Sequence, residues 1–322
     1  MNIVFMGTPD FAVATLRALH QAGHTIALVV TQPDRPKGRG REIQPSPVKI
    51  CAGELGLAVA QPDNVNTPDF ARRLRDLAPD AVVVVAFGQI LKPELLVAPR
   101  HGCLNLHASL LPKYRGAAPI HWAVIRGETE TGVTAMKMDV GMDTGDILLT
   151  RKIPIRPQDT TQTLHDALAR IGAELMVETL ARLASGNLTP TPQDNTRATY
   201  APKLKKEDGL VSWDKSADEI NNQVRGLSPW PGAYAFLNGR RLGIRAVEAT
   251  PGTTETAPGV VCNVTPAGIQ VAVRGGFVTI TELQPEGKKP MPADRFIQGH
   301  SIRPGDRFQS PDPFTLTNPI TH

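Results

Sequence analysis

The sequence predicts an α/β fold, a Rossmann-like doubly wound parallel sheet followed by a small C-terminal OB-like β-barrel. Three observations carry that prediction. Apolar runs of strand length alternate with helical periodicity over the first half of the chain, and one run, Ala81 to Phe87, is apolar at every position. Beyond Leu204 the pattern changes to short β-like runs separated by glycine turns. With 322 residues, the chain has room for two modules of about 150 residues each.

The elements follow in order. Asn2 to Met6 is an apolar strand ending at Gly7, and after Thr8-Pro9-Asp10 the residues Phe11 to His20 place apolar side chains at helical spacing. Thr25 to Thr31 is β-branched, and Ser46 to Leu55 is a helix with Ser46 as cap and Pro47 in its first position. Ala81 to Phe87 reads as a central strand covered on both faces. Gly102 to His107, Val133 to Met138 and Leu148 to Ile155 extend the sheet. A helix from Thr160 to Ala184, with Leu164, Leu168, Ile171, Leu175, Leu180 and Leu183 near one stripe, closes a first domain of residues 1–188.

Pro190, Pro192 and Pro202 among polar residues make 189–205 an extended linker. The second domain, 206–322, opens with a helix near Ala217 to Gly226. Runs at Ala233 to Leu237, Arg241 to Val247, Gly259 to Val264, Gly268 to Val273 and Phe277 to Leu283 then suggest the barrel. From Gln309 onward the chain is rich in Pro and Thr and is expected on the surface.

Composition excludes several classes. No apolar run approaches the roughly 18 residues of a membrane span, and the N-terminus lacks a basic region and a cleavage site, so a cytoplasmic protein is expected. Three widely spaced cysteines, Cys51, Cys103 and Cys262, read as packing residues rather than a disulfide framework or zinc knuckle. The net charge of +4 permits a polyanionic partner. From Lys206 onward there are 12 basic and 12 acidic residues, so the excess lies in residues 1–205.

The chemistry concentrates in two segments. In His101 to Pro112, strand alternation puts Cys103, Asn105 and His107 on one face, with Leu104 and Leu106 on the other. Asn105 and His107 would lie about 6.6 Å apart, close enough to flank one substrate carbonyl. A metal held by Cys103 and His107 is excluded, because about 13 Å of strand separates ligands that must each approach within about 2 Å. In the second segment, Met138 to Ile147, acidic residues among glycines could present a carboxylate to the strand ends. The residues themselves do not choose between Asp139, Asp143 and Asp146. Gly7-Thr8-Pro9 lacks the G-x-G-x-x-G needed for a dinucleotide, and no P-loop is present.

The run HASLLPKYRGAAPIHWAVIRGETETGVT, His107 to Thr134, together with GMDTGDIL, resembles the core of the formyltetrahydrofolate-dependent formyltransferases. GTPDF near the N-terminus, QPDRPKGRG (Gln32 to Gly40) and PSPVK (Pro45 to Lys49) are similar to the branch of that family acting on methionyl-tRNA. WPGAYAF (Trp230 to Phe236) and the linker match more loosely.

The resemblance implies formyl transfer from 10-formyltetrahydrofolate, without a metal, to the α-amine of methionyl initiator tRNA, supporting bacterial translation initiation. An amino-sugar nucleotide or glycinamide ribonucleotide is the alternative acceptor. It implies catalysis by Asn105, His107 and Asp143: Asn105 and His107 are suited to donate to the formyl oxygen, Asp143 orients His107 and favours its protonated form or helps move protons through water, and His107 or an Asp143-bound water accepts the proton of the amine. Folate contacts fall on Ser109, Leu110, Leu111 and Pro112 and along Phe87, Gly88, Gln89, Ile90 and Leu91. The family's tRNA-discriminating arginine falls on Arg39, within a Pro/Gly-rich loop that also carries Arg35, Lys37 and Arg41 and is suited to phosphate contact. The acceptor arm of the tRNA is the expected partner of this loop and of the barrel, and the protein is expected to be a monomer.

Overall fold

The computed structural model describes residues 1–37 and 42–309. The first compact unit comprises Met1–Pro119, Glu130–Pro154 and Leu164–Pro202; the second comprises Ile120–Thr129, Ile155–Thr163 and the chain from Lys203 onward. In chain order the first half contains β1 (Asn2–Gly7), α1 (Asp10–Gln21), β2 (Thr25–Val30), β3 (Arg35–Lys37), β4 (Glu42–Gln44), α2 (Pro47–Glu54), β5 (Val59–Ala60), α3 (Pro68–Asp76) and β6 (Ala81–Val85). It continues through α4 (Pro93–Leu96), β7 (Cys103–His107), β8 (Arg115–Gly116), α5 (Pro119–Ile125), β9 (Glu130–Lys137), β10 (Ile147–Pro154), α6 (Thr161–Ala184) and β11 (Tyr200–Ala201).

The main sheet has the order β10-β9-β7-β6-β1-β2-β5. β5, β2, β1, β6 and β7 are mutually parallel, and β9 and β10 add an antiparallel edge. The five-residue β6 is buried at every position, as its uninterrupted apolar run requires. One face packs Val4, Met6, Val30, Val82, Val84 and Cys103 against Phe70, Leu74 and Leu95. On the other face, α6 approaches β7 so closely that a Cβ at Gly172 would stand 2.7 Å from Leu106 Cδ2. The expected helix at Ser46 forms as α2, with Ser46 Oγ accepting from Lys49 N–H and Pro47 in the first turn.

Because the chain runs from β1 out to β2 and later returns to β6 on the other side of β1, strand order reverses between β1 and β6. In open α/β sheets such a reversal opens a crevice at the carboxyl ends of the strands. Here it is flanked by Thr8 and Phe87, whose hydroxyl and carbonyl are hydrogen-bonded at 3.0 Å.

The second unit is a curled antiparallel sheet. After α7 (Ala217–Gly226) come β12 (Ala233–Leu237), β13 (Arg240–Pro251), β14 (Val261–Thr265), β15 (Gly268–Val273), β16 (Gly276–Pro285), β17 (Met291–Pro292), α8 (Ala293–Gly299) and β18 (Phe308–Gln309), ordered β14-β15-β16-β13-β12-β18 with β17 on β16. A bridge between Val260 and Arg307 joins the two ends of the sheet. Trp213, Ile220, Val224, Ile244, Ile269, Val271, Ile280 and Phe308 fill its interior. Among the described residues no helix is long and apolar enough to cross a membrane.

Candidate active site

β7 delivers Asn105 and His107 to one face of the sheet, as strand alternation predicts. Asn105 stands opposite Val84 on β6 and Met136 on β9, so its backbone is fixed from both sides. Its half-buried carboxamide makes no hydrogen bond to protein among the described residues, which leaves two donors and an acceptor for a ligand. His107 differs. Its buried ring places Nε2 at 2.9 Å from the Tyr114 carbonyl and Nδ1 at 3.6 Å from Asp143 Oδ2. The carbonyl can only accept, so Nε2 carries a proton and Nδ1 faces the carboxylate. The 3.6 Å separation is an ion-pair distance rather than a hydrogen bond.

Of the three aspartates left open in the glycine-rich turn, the structure brings only Asp143 to His107. β9 runs antiparallel to β7, with Lys137 opposite Leu104, so the turn leaves at the amino end of β7 and folds back for Asp143 to reach His107. Asp139 instead accepts from Gly141 N–H and Thr144 Oγ1, stabilising the turn itself. Asp143 takes a left-handed backbone conformation with φ of 54°, and its Oδ2 accepts from Gly116 N–H at 2.8 Å.

Two further polar residues, Arg115 and Gln193, hold this arrangement, and the sequence pattern did not single them out. Gln193 Nε2 donates to the carbonyls of Asp143 and Gly145, while its Oε1 accepts from Arg115. The signal was weak, since Gln193 lies among prolines and polar residues that read as a linker.

The Ser109–Pro112 segment continues directly from β7. The Ser109 hydroxyl donates to Lys113 O, and the Ser109 carbonyl accepts from Thr134 Oγ1, so this stretch is a fixed loop with Leu110 partly exposed. At the end of β6, Phe87 and Leu91 are buried in the core, Gly88 is exposed, and Ile90 is 79% exposed. The Gln89 side chain is committed to Val65 N, Pro62 O and Asp63 O. A ligand here would meet backbone groups and the Ile90 and Leu110 side chains. The Cys103 thiol, pushed up to about 12 by burial, is no nucleophile.

The basic loop departs from expectation. Arg35 and Lys37 belong to β3, which pairs with β4 through Arg35–Gln44, Pro36–Ile43 and Lys37–Glu42, so they lie in a hairpin rather than an irregular loop. Its strands carry no apolar alternation because the hairpin does not supply a core; Ile43 is 73% exposed. Arg39 and Arg41 lie outside the described residues. At its base Asp34 accepts from Lys49 Nζ at 2.5 Å and from Gln61 Nε2 at 2.7 Å, so Lys49 of the PSPVK run anchors the hairpin.

Those bonds, Lys49 first, hold the Asp34 carboxyl below its ordinary range. A depressed carboxylate contributes stability above its unfolded value of about 3.9 and loses it as pH falls through the folded value. Asp34→Asn should therefore lower the thermal midpoint at neutral pH, with the difference from wild type shrinking in acid. A constant difference across that range would count against the anchor.

Together, the reversal of strand order at β1 and β6, the unpartnered amide and the pairing of buried His107 with partly buried Asp143 describe an α/β enzyme of the group-transfer type, with an antiparallel β unit besides. Comparison with known proteins makes this specific. The family profile described as "Formyl transferase" matches residues 1–180, and "Formyl transferase, C-terminal domain" matches residues 203–301. The chain belongs to the formyl transferase family.

It is 53% identical over 305 residues to the methionyl-tRNA formyltransferase of Citrifermentans bemidjiense, covering 95% of both chains. It is 52% identical to the protein of that name from Geotalea uraniireducens, covering 95% of this chain and 97% of that one. Among solved structures, the N-formyltransferase from Helicobacter canadensis in complex with folinic acid and dTDP-3-aminofucose aligns with a TM-score of 0.65 at 21% identity, covering 86% of this chain and 97% of that one. HypX from Aquifex aeolicus in complex with tetrahydrofolic acid aligns with a TM-score of 0.59 at 19% identity. That alignment covers 92% of this chain, which spans about half (46%) of the HypX chain. These two structural likenesses concern the fold.

Proposed function

We propose that this protein transfers the formyl group of 10-formyltetrahydrofolate to the α-amine of methionyl initiator tRNA, acting in the cytoplasm as a monomer in bacterial translation initiation. The observation that carries the chemistry is the juxtaposition at the end of β7 of a free Asn105 amide with the His107–Asp143 pair. The identity of about half over nearly the full length to named methionyl-tRNA formyltransferases supports the substrate.

As the amine adds to the formyl carbon, negative charge grows on the formyl oxygen. The Asn105 amide supplies a fixed donor for it. Of the two roles expected of His107, oxyanion donor and base, the geometry favours the second. With Nε2 bound to Tyr114 O, His107 is not a second free donor; its Nδ1 edge, backed by Asp143, is suited to accept and pass on the amine's proton. Free α-amines have pKa values of about 7.7 to 8.0, so such a base has work to do at neutral pH. For the folate, the exposed Gly88 backbone and Ile90 side chain offer an amide edge and an apolar surface to a flat heterocycle, and the 109–112 loop lies next to the reacting end.

For the tRNA, the basic segment of Arg35, Lys37, Arg39 and Arg41 supplies charge. In the second unit a groove of about 1050 Å3 lined by Leu237, Arg240, Arg241, Lys288, Phe296 and His300 combines cations with a stacked Phe296–His300 pair. Such surfaces suit a sugar-phosphate backbone. Arg245 is tied to Gln284 instead.

Formyl transfer from 10-formyltetrahydrofolate to charged initiator tRNA, with glycinamide ribonucleotide and amino-sugar nucleotides as competing acceptors, tests the proposal. Activity confined to a competitor would overturn it. Arg39→Ala is expected to raise KM for the tRNA about tenfold, roughly 1.4 kcal/mol for one lost charged contact, with KM for the folate unchanged. An equal change in both constants would refute the basic segment's role.

A further inference from the structure

We infer that Gln193 is a positioning residue for the reaction: it fixes the turn that carries Asp143, and through Asp143 it sets His107. The inference rests on the reading of Asp143 given above.

A closed ring of hydrogen bonds carries it. Gln193 Nε2 donates to Asp143 O at 2.8 Å and to Gly145 O at 2.7 Å, using both amide hydrogens. Its Oε1 accepts from Arg115 Nε at 3.1 Å and Nη2 at 2.7 Å. Arg115 Nη2 also donates to Asn195 Oδ1 at 2.8 Å. The next residue, Gly116, donates its N–H to Asp143 Oδ2 at 2.8 Å. The dipeptide 115–116 therefore holds Gln193 through a side chain and Asp143 through the backbone, while Gln193 holds the Asp143 main chain.

The segment bearing Gln193 is itself fixed. Thr191 and Ile147 exchange both backbone hydrogen bonds at 2.8 Å, and β11 pairs with β8 through Tyr200–Arg115 and Ala201–Gly116. Residues 191–201 thus form a strap that joins the 115–116 dipeptide to the 143–147 stretch, beside the direct bond from Gly116 to Asp143. The carboxamide is specific to this task. A carboxylate at 193 would set negative charge against two carbonyl oxygens, and alanine would remove both hydrogen bonds from Gln193 to the 143–145 turn together with the acceptor for Arg115.

The consequence should be kinetic. Asp143 lies 3.6 Å from Nδ1, and misplacement of a reacting group by about 1 Å costs on the order of 10²-fold. Gln193→Ala is expected to lower kcat about 10- to 100-fold while KM for 10-formyltetrahydrofolate stays within about twofold, and Gln193→Glu should not rescue it. In single-turnover assays, Gln193→Ala added to Asp143→Asn should cost nothing beyond Asp143→Asn alone, since residues acting as a unit are not additive. Wild-type kcat in Gln193→Ala, or the same fold-loss in both backgrounds, would overturn the inference, even with a lowered thermal midpoint. If Asp143→Asn itself turned over normally, the role given to Asp143 would fall, and the inference with it; an impaired Asp143→Asn beside a normal Gln193→Ala would sink the inference alone.

Discussion

Asn105→Ala should lower kcat by about 10²- to 10³-fold, the usual loss when one preorganised donor to a developing oxyanion is removed. The structure argues that this variant folds normally. The ladder at Asn105 is made by its backbone to β6 and β9, and the side chain forms no protein hydrogen bond among the described residues, so truncation leaves no buried partner unsatisfied. A stability change within about 0.5 kcal/mol is expected. Asn105→Asp separates shape from chemistry. It keeps the volume, removes both N–H donors and adds charge beside the growing oxyanion, so it should be at least as impaired as alanine. Steady-state kinetics with saturating folate and tRNA, alongside urea unfolding, decide the matter: turnover within tenfold of wild type in both variants would remove Asn105 from the chemistry.

The same strand shows what was legible in the sequence. Period-two alternation needs only a regular strand, so the shared face of Asn105 and His107 could be read from residue order, as could β6 from its unbroken apolar run. The choice of Asp143 over Asp139 and Asp146 could not be read from pattern, because it depends on how a glycine-rich turn folds back between two antiparallel strands. Family resemblance named Asp143, and its 3.6 Å approach to His107 gives that choice a physical form.

Two other features were hidden for related reasons. Arg35, Pro36, Ile43 and Gln44 of the β3–β4 hairpin are exposed and so leave no hydrophobic period to detect. Residues 191–201 are mostly polar and lie between Pro190 and Pro202, and composition alone describes a tether. Their structure comes from single side chains and short two-residue pairings made across long sequence separations, as in Gln193 with Asp143 and Tyr200 with Arg115. The engagement of His107 Nε2 by the Tyr114 carbonyl is likewise a tertiary event that residue order does not encode.

The turn supplies a second large effect. Gly145 is buried where a Cβ would stand 1.8 Å from the Lys137 carbonyl oxygen and 2.9 Å from its carbon, both backbone atoms of β9. No rotamer change relieves that clash, so Gly145→Ala must displace the turn. The displacement would stretch both the Gln193 bonds and the approach of Asp143 to His107, with an expected loss in kcat of about 10²-fold. Gly141 offers a built-in contrast. Its Cβ would meet Thr144 Oγ1 at 2.0 Å, a side chain on an exposed stretch that can rotate away at the cost of its bonds to Asp139. Gly141→Ala should therefore lose less than tenfold, or under about 1.4 kcal/mol. If both alanine variants kept wild-type kcat, the turn would not hold Asp143 in a geometry that matters; if both lost activity equally, backbone crowding at Gly145 would not be the cause. Hydrogen exchange at the amides of residues 139–146 gives an independent reading, rising in Gly145→Ala well above Gly141→Ala if the buried glycine is what seats the turn against β9.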